Sequence, residues 1–350
     1  MRDMQSNYRL ESDETTEPAI PMEYYEHKSD KSSTEDDEEA PVRSKRQRTA
    51  KSFGDDFLVY LVDDDTPSSI SEAYASPDAD CWKDAVRSEM DSILANGTWE
   101  ITDRPYGCQP LGCKWVFKRK LRPVGTVEKY KARLVAKGYT QKEEEDFFDT
   151  YSPVARLTTI RVLLALAASH GLLVHQMDVK TAFLNGELDK EIYMQQPDGF
   201  VVNGQEGKVC KLVKSLYGLK QASKRWHEKF NTTLTSAGFV VNEADKCVYY
   251  RYGGGEGIIL CLYVDDILIF GTLLKVIEEV KSFLSHKFEM KDLGVADVIL
   301  NIKLLRNSES GITLLQSHYV EKILSRFGYS TANLLQHHMI LVCRFESSQA

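Results

Sequence analysis

Ile258-Ile-Leu-Cys-Leu-Tyr263-Val264-Asp265-Asp266-Ile267-Leu-Ile-Phe270 decides how this chain is read. The two flanking runs are β-branched and aromatic, too short for helices, and a tight turn around Val264-Asp265 pairs them as an antiparallel hairpin. Both carboxylates then project from one rigid edge, where adjacent like charges repel unless a cation lies between them. The pair reads as a metal site or as a turn that uses Asp for its backbone tolerance. Phe53-Gly-Asp-Asp-Phe57 and Leu61-Val-Asp-Asp-Asp65 have similar letters but little apolar framing, and read as solvated surface or linker.

Moving outward, Trp82, Val86, Met90 and Ile93 fall at steps of four, four and three, predicting an amphipathic helix that ends near Asn96-Gly97. Lys114 to Arg119 and Tyr130 to Ala136 read as two strands joined by a turn at Arg122-Pro-Val-Gly125. A helix is expected over Thr158 to His170, then an apolar central strand Leu172 to Asp178 that delivers Asp178 at its end. Trp226, Phe230 and Leu234 mark another helix closed by Gly238. Cys247 to Tyr252 is a strand turning through Gly253-Gly-Gly255 into the Asp-Asp hairpin, and Val276, Val280 and Phe283 give a further helix. Strands and helices interspersed in this order define an α+β class with an antiparallel sheet at its centre.

The net charge of −8 conceals an uneven division. Residues 1 to 80 carry 21 acids against 9 bases, a net of −12, and the rest of the chain holds 31 acids and 35 bases, a net of +4. Leu111 to Lys142 contains ten basic residues and only Glu128 as an acid, interleaved with Trp115, Phe117, Tyr130 and Tyr139. Such a density suits a surface that meets phosphates, or else a solvated basic face. Residues 1 to 75 are polar and acid-rich, too poor in branched apolar residues to offset chain entropy, and are expected as a disordered linker. Its basic cluster of Arg43, Lys45, Arg46, Arg48 and Lys51 is either solvating or a nuclear-localisation or nucleic-acid patch, Lys45-Arg-Gln-Arg48 being the part that could give nuclear access. Seven cysteines form no Cys-x-x-Cys and the eight histidines no ligand spacing, which fits a reduced intracellular compartment. The longest apolar run, Val162 to Ala168, is bracketed by Arg161 and His170, so no membrane span and no membrane partner is expected.

If Asp178 ends a strand beside the hairpin, Asp178, Asp265 and Asp266 converge. Hard oxygen ligands without His or Cys select Mg2+ or Mn2+ over zinc. Two such ions activate an attacking hydroxyl and hold a departing pyrophosphate, the chemistry of nucleotidyl transfer, while the basic hairpin neutralises a triphosphate.

The stretches Lys114-Trp-Val-Phe-Lys118, Tyr130-Lys-Ala-Arg-Leu-Val-Ala-Lys-Gly138, Ser152-Pro-Val154, Gln176-Met-Asp-Val-Lys-Thr-Ala-Phe-Leu-Asn-Gly186, Ser215-Leu-Tyr-Gly-Leu-Lys-Gln-Ala222, Tyr263-Val-Asp-Asp266 and Met290-Lys-Asp-Leu-Gly294 occur in this order. Together they resemble the reverse transcriptase domain of Ty/copia-type long-terminal-repeat retrotransposons, from about Trp82 to Tyr329. The resemblance implies a palm-and-fingers fold over 76 to 329, with the thumb incomplete or absent and a divergent tail from 330 to 350. It implies RNA-directed DNA polymerase activity with two Mg2+ or Mn2+ ions, an RNA template, a DNA or tRNA primer and dNTPs. A homodimer or other polyprotein products are the implied protein partners, and cytoplasmic virus-like particles with nuclear access the implied location.

Residue by residue, the resemblance makes Asp178, Asp265 and Asp266 catalytic metal ligands, with the Val179 carbonyl as a further ligand. Phe183 takes the place of the bulky residue that rejects a 2′-hydroxyl; core packing is its other reading. Tyr217, Gly218 and Lys220 match the segment along the incoming nucleotide and template, and Lys118, Lys131 and Arg133 are candidates for triphosphate contact. Lys291 stands where a proton donor to pyrophosphate sits, and Leu300 and Asn301 fall in the primer-grip strand. Ile299-Leu-Asn-Ile302 departs from the family's usual Phe-Leu-Gly-Ile there, Ser223 from a usual Pro, and Glu144 from a common Gly. Asn301 and the C-terminal stretch after Tyr329 motivate an alternative: an inactive remnant of a polyprotein that keeps the fold and binds nucleic acid or nothing.

Overall fold

The computed structural model describes residues 66–121, 126–300, 302–306 and 311–316, and beyond them 319–320, 323–324, 327 and 343–345. The two upstream Asp-Asp clusters, the Lys45 to Arg48 cluster, the turn at 122–125 and nearly all of the tail from 330 lie outside the described residues. The first element is α1 (Ile70–Ala75), inside the stretch expected as linker. A local signal explains it: Ser69 Oγ caps the Glu72 N–H, the Glu72 carboxylate accepts from the Ser68 N–H and Oγ, and Ala73 is fully buried.

α2 (Ala79–Ala95) buries Trp82, Val86, Met90 and Ile93, as their spacing requires, and ends at Asn96 before Gly97 at φ +58°. Trp82 meets the rings of Phe117 and Tyr130 edge-on at 5.3 and 4.7 Å. Those rings belong to β2 (Cys113–Leu121) and β3 (Val127–Ala136), a two-stranded antiparallel ribbon laid on α2. Beneath it β1 (Trp99–Thr102), β5 (Glu187–Gln195) and β6 (Val209–Lys214) form a three-stranded sheet in the order β1-β6-β5 that the hydrophobic pattern does not predict.

The central sheet is six-stranded and antiparallel. β4 (Leu173–Val179), β7 (Val240–Val241), β8 (Val248–Gly253), β9 (Glu256–Tyr263), β10 (Asp266–Gly271) and β11 (Met290–Val295) take the order β11-β4-β10-β9-β8-β7. β4 is an interior strand, one in from the edge. α3 (Leu157–His170), α4 (Ala222–Ser236) and α5 (Leu274–Lys287) share one core with this sheet, α3 stopping at Gly171 in the left-handed region. A second core joins α1, α2, the ribbon and the three-stranded sheet, and Phe183 packs against both. Beyond β11, β12 (Val298–Ile299), β13 (Ile302–Arg306), β14 (Ile312–Leu315) and β15 (Cys343–Phe345) form a four-stranded sheet in chain order. Among the described residues no helix is long and apolar enough to cross a membrane.

Candidate active site

β10 lies antiparallel between β4 and β9, with Asp266 opposite Asp178 on one side and opposite Tyr263 on the other. Lys291 on β11 is the other cross-strand partner of Asp178. Opposed residues share a face, so one line across the sheet carries Lys291, Asp178, Asp266 and Tyr263. Asp265 stands beside that line in the two-residue turn. Val264 holds φ +56° there, unusual for a β-branched residue, and costs about 1–3 kcal/mol. Two hydrogen bonds hold the turn: the Trp226 indole N–H donates to the Val264 carbonyl and the Val179 N–H to the Asp265 carbonyl, both at 2.8 Å.

The side chains are set differently. Gln176 Nε2 donates to Asp266 Oδ1 at 3.0 Å, whereas Asp265 Oδ1 is buried without a hydrogen-bond partner. Burial raises the Asp265 carboxyl above the usual range; the charge of Arg133 opposes this, Asp178 and Asp266 add to it, and Lys131 opposes it. Burial also raises the Asp266 carboxyl, against the Gln176 hydrogen bond and with the charge of Asp178. Among the described residues no set of three or more His, Cys, Asp and Glu side chains is arranged to enclose a metal ion. The all-oxygen donor set, the crowded negative charge and the orphaned Oδ1 nevertheless fit a hard divalent cation.

The ribbon supplies the opposite charge. Trp115, Phe117, Ala132 and Leu134 are buried. The alternate residues pair Val116 with Arg133, Lys118 with Lys131 and Lys120 with Lys129, a cationic face. Burial and the charge of Arg133 lower the Lys131 pKa. Arg133 lies 4.6 Å over the Tyr217 ring, which meets Phe183 edge-on at 5.1 Å, and burial pushes the Tyr217 phenol up to about 12. Asp178, Asp265, Lys131, Arg133, Phe183 and Tyr217 are thus one linked group. Lys118 is exposed farther out on the same face.

Glycine makes the joint between ribbon and sheet. The Ala136 N–H donates to the Tyr217 carbonyl at 2.8 Å, and Gly218 sits at φ +93°, where a Cβ would stand 2.2 Å from the Ala136 oxygen. Lys220, two residues on, has its own contacts: its N–H and ammonium donate to Gln141 Oε1 and O, and the ammonium lies 4.7 Å over the Phe147 ring. Leu300, at φ +49°, lines an apolar recess with Leu157, Leu164, Ile299 and Leu304. Asn301 lies outside the described residues.

Carboxylates on an antiparallel sheet thus stand within electrostatic reach of a cationic ribbon, a charge pairing compatible with phosphate esters. The family described as reverse transcriptase (RNA-dependent DNA polymerase) matches residues 96–340. The retrovirus-related Pol polyprotein from transposon TNT 1-94 of Nicotiana tabacum is 45% identical over 293 residues, covering 83% of this chain and 22% of its own length. The Pol polyprotein from transposon RE2 of Arabidopsis thaliana is 37% identical over 254 residues, covering 72% of this chain and 17% of its own length. A solved foamy viral protease-reverse transcriptase in complex with double-stranded DNA aligns over 71% of this chain and 40% of its own, at a TM-score of 0.37 and 14% identity. The chain belongs to the reverse transcriptase family, as a domain of the Ty/copia-type Pol polyproteins. It spans about a fifth of the length of those curated relatives.

Gln176 and Trp226 both hold the acidic turn, and neither stands out as functional in the sequence. Gln176 opens the Asp178 motif without an assigned role, while Trp226 reads as one more apolar position of a helix. Only the pairing of an indole N–H with a carbonyl 38 residues away distinguishes it.

Proposed function

We propose that this domain is an RNA-directed DNA polymerase that extends a DNA or tRNA primer with dNTPs on an RNA template. The observation that carries the proposal is the register of Asp178 with Asp266, with Asp265 alongside and the charges of Arg133 and Lys131 in reach of it. Asp178, Asp265, Asp266 and the Val179 carbonyl would hold two Mg2+ or Mn2+ ions, which when bound activate the primer 3′-hydroxyl and stabilise the leaving pyrophosphate. Arg133 and Lys131 bind the triphosphate, with Lys118 farther along the same path. Tyr217 and Gly218 flank the nucleotide, and the half-buried Phe183 ring against Tyr217 excludes a 2′-hydroxyl. Lys291, exposed and in register with Asp178, is placed to return a proton to pyrophosphate. Leu300 and Asn301 belong to the strand that seats the primer. Cytoplasmic particles formed with other polyprotein products are the proposed setting.

Primer extension on an RNA template with Mg2+, comparing this chain with Asp265→Asn, tests the reading. Extension by the unaltered chain alone is expected, and equal signals from the two would overturn it.

A further inference from the structure

The carboxylates sit on a turn that its own sequence does not favour. A Val-Asp loop has no glycine at its first central position, yet Val264 occupies φ +56°. Something outside the hairpin must hold it. On one side the Val179 N–H takes the Asp265 carbonyl, a backbone bond that most residues at position 179 would make. On the other side the partner is a side chain: Trp226, 2% exposed, whose indole N–H reaches the Val264 carbonyl at 2.8 Å. The indole has little freedom, because Phe230 and Phe288 pack on it at ring distances of 5.5 and 5.1 Å.

Trp226 is also tied to the other half of the site. α4 begins at Ala222, directly after the Tyr217-Gly218 segment. Its first turn presses on Gly186, which caps the 3-10 turn Ala182–Asn185 that carries Phe183: a Cβ on Gly186 would lie 2.9 Å from the backbone nitrogen of Trp226. One helix therefore runs from the segment proposed to flank the nucleotide to the indole that fixes the acidic turn.

We infer that Trp226 is a positioning residue for nucleotidyl transfer, whose indole N–H fixes the Val264 carbonyl and thereby aims Asp265 and Asp266 at the metal ions. The inference rests on the polymerase reading for its reaction, but its metal-binding consequence can be measured separately. Groups that orient metal ligands typically change metal affinity or activity 10–100-fold when removed.

The test is Mn2+ binding, followed by the loss of the free-ion electron paramagnetic resonance signal, run beside primer extension over a Mg2+ titration. Trp226→Phe keeps an aromatic ring and removes the donor. Benzothienylalanine at position 226, a near-isostere with sulfur for N–H, serves if the Phe variant fails to fold. The expected result is Mn2+ affinity weakened about tenfold and a Mg2+ optimum raised to match, with primer–template affinity within twofold of the unaltered chain. Unchanged Mn2+ affinity and Mg2+ dependence in a folded variant would overturn the inference and leave Trp226 as core packing. If the unaltered chain binds Mn2+ but does not extend primers, the polymerase reading fails; a weakened Mn2+ isotherm in Trp226→Phe then still upholds the hold on the turn. Absence of Mn2+ binding to the unaltered chain would overturn both.

Discussion

The β9–β10 hairpin and the β2–β3 ribbon are both antiparallel pairs crowded with like charge, and they solve that crowding in opposite ways. The hairpin is locked inside a six-stranded sheet, with β4 and β8 on its flanks and two hydrogen bonds on its turn. The ribbon is a sheet of two strands with one apolar face on α2, and its cationic residues lie on the opposite face, except Arg119, which pairs with Asp78 at the start of α2. Negative charge is thus held in the interior of a six-stranded sheet and positive charge on a two-stranded ribbon. That division suits a reaction in which metal ligands must not move, while the groups that gather a triphosphate must admit and release it.

Replacing Asp178 with Asn removes a proposed ligand from the rigid side and should lower the rate of extension about a thousandfold, since a bound metal supplies several kcal/mol of transition-state stabilisation. Primer–template affinity, read by fluorescence anisotropy, should hardly change. Arg133→Ala removes charge from the ribbon and should weaken dNTP binding about tenfold or more, the scale of a lost charge-assisted contact. A comparable fall in the chemical rate at saturating dNTP would erase the distinction between the two regions. Phe183→Ala, where the two cores meet, should raise ribonucleotide incorporation about tenfold relative to dNTP; unchanged sugar selection would reduce Phe183 to packing.

The smallest effect concerns stability without metal. The folded-state pKa of Asp265 is raised, chiefly by burial, so its ionised form opposes folding. The cost is absent below the unfolded value near 3.8 and grows as pH rises through the folded one. Asp265→Asn should therefore melt about 2–4 °C higher than the unaltered chain at pH 7 in chelator, with the gain fading toward pH 4. Saturating Mg2+ should narrow or reverse the difference, because it stabilises only the chain that binds it. A variant that melts lower in chelator at pH 7 would contradict the assignment of a buried charge that Arg133 and Lys131 offset only in part.

Much of this division was legible in the sequence because apolar framing is local. The runs around Tyr263 to Asp266 mark their strands, and Trp82, Val86, Met90 and Ile93 mark α2 and its buried face. Alternation along Lys114 to Ala136 marks a ribbon but not the direction of its charge, which depends on what lies opposite. β1, β5 and β6 escaped because half-exposed strands such as Glu187 to Gln195, with four charged residues, leave a weak hydrophobic period. α1 escaped because its signal is a cap rather than a stripe. The hydrogen bond from the Lys220 ammonium to the carbonyl of Gln141, 79 residues away, has no local sequence signal. The positions of Gln176, Trp226 and the Gly218 crossing depend likewise on contacts between distant segments, which no local pattern encodes.

Single-turnover incorporation of one dNTP on an RNA template, measured against dNTP concentration, tests the division most directly. Asp265→Asn is expected to collapse the maximal rate while leaving the dNTP dissociation constant within a few-fold, and Arg133→Ala to raise that constant while largely preserving the rate. Both variants moving the same parameter, or Asp265→Asn matching the unaltered chain, would contradict the account.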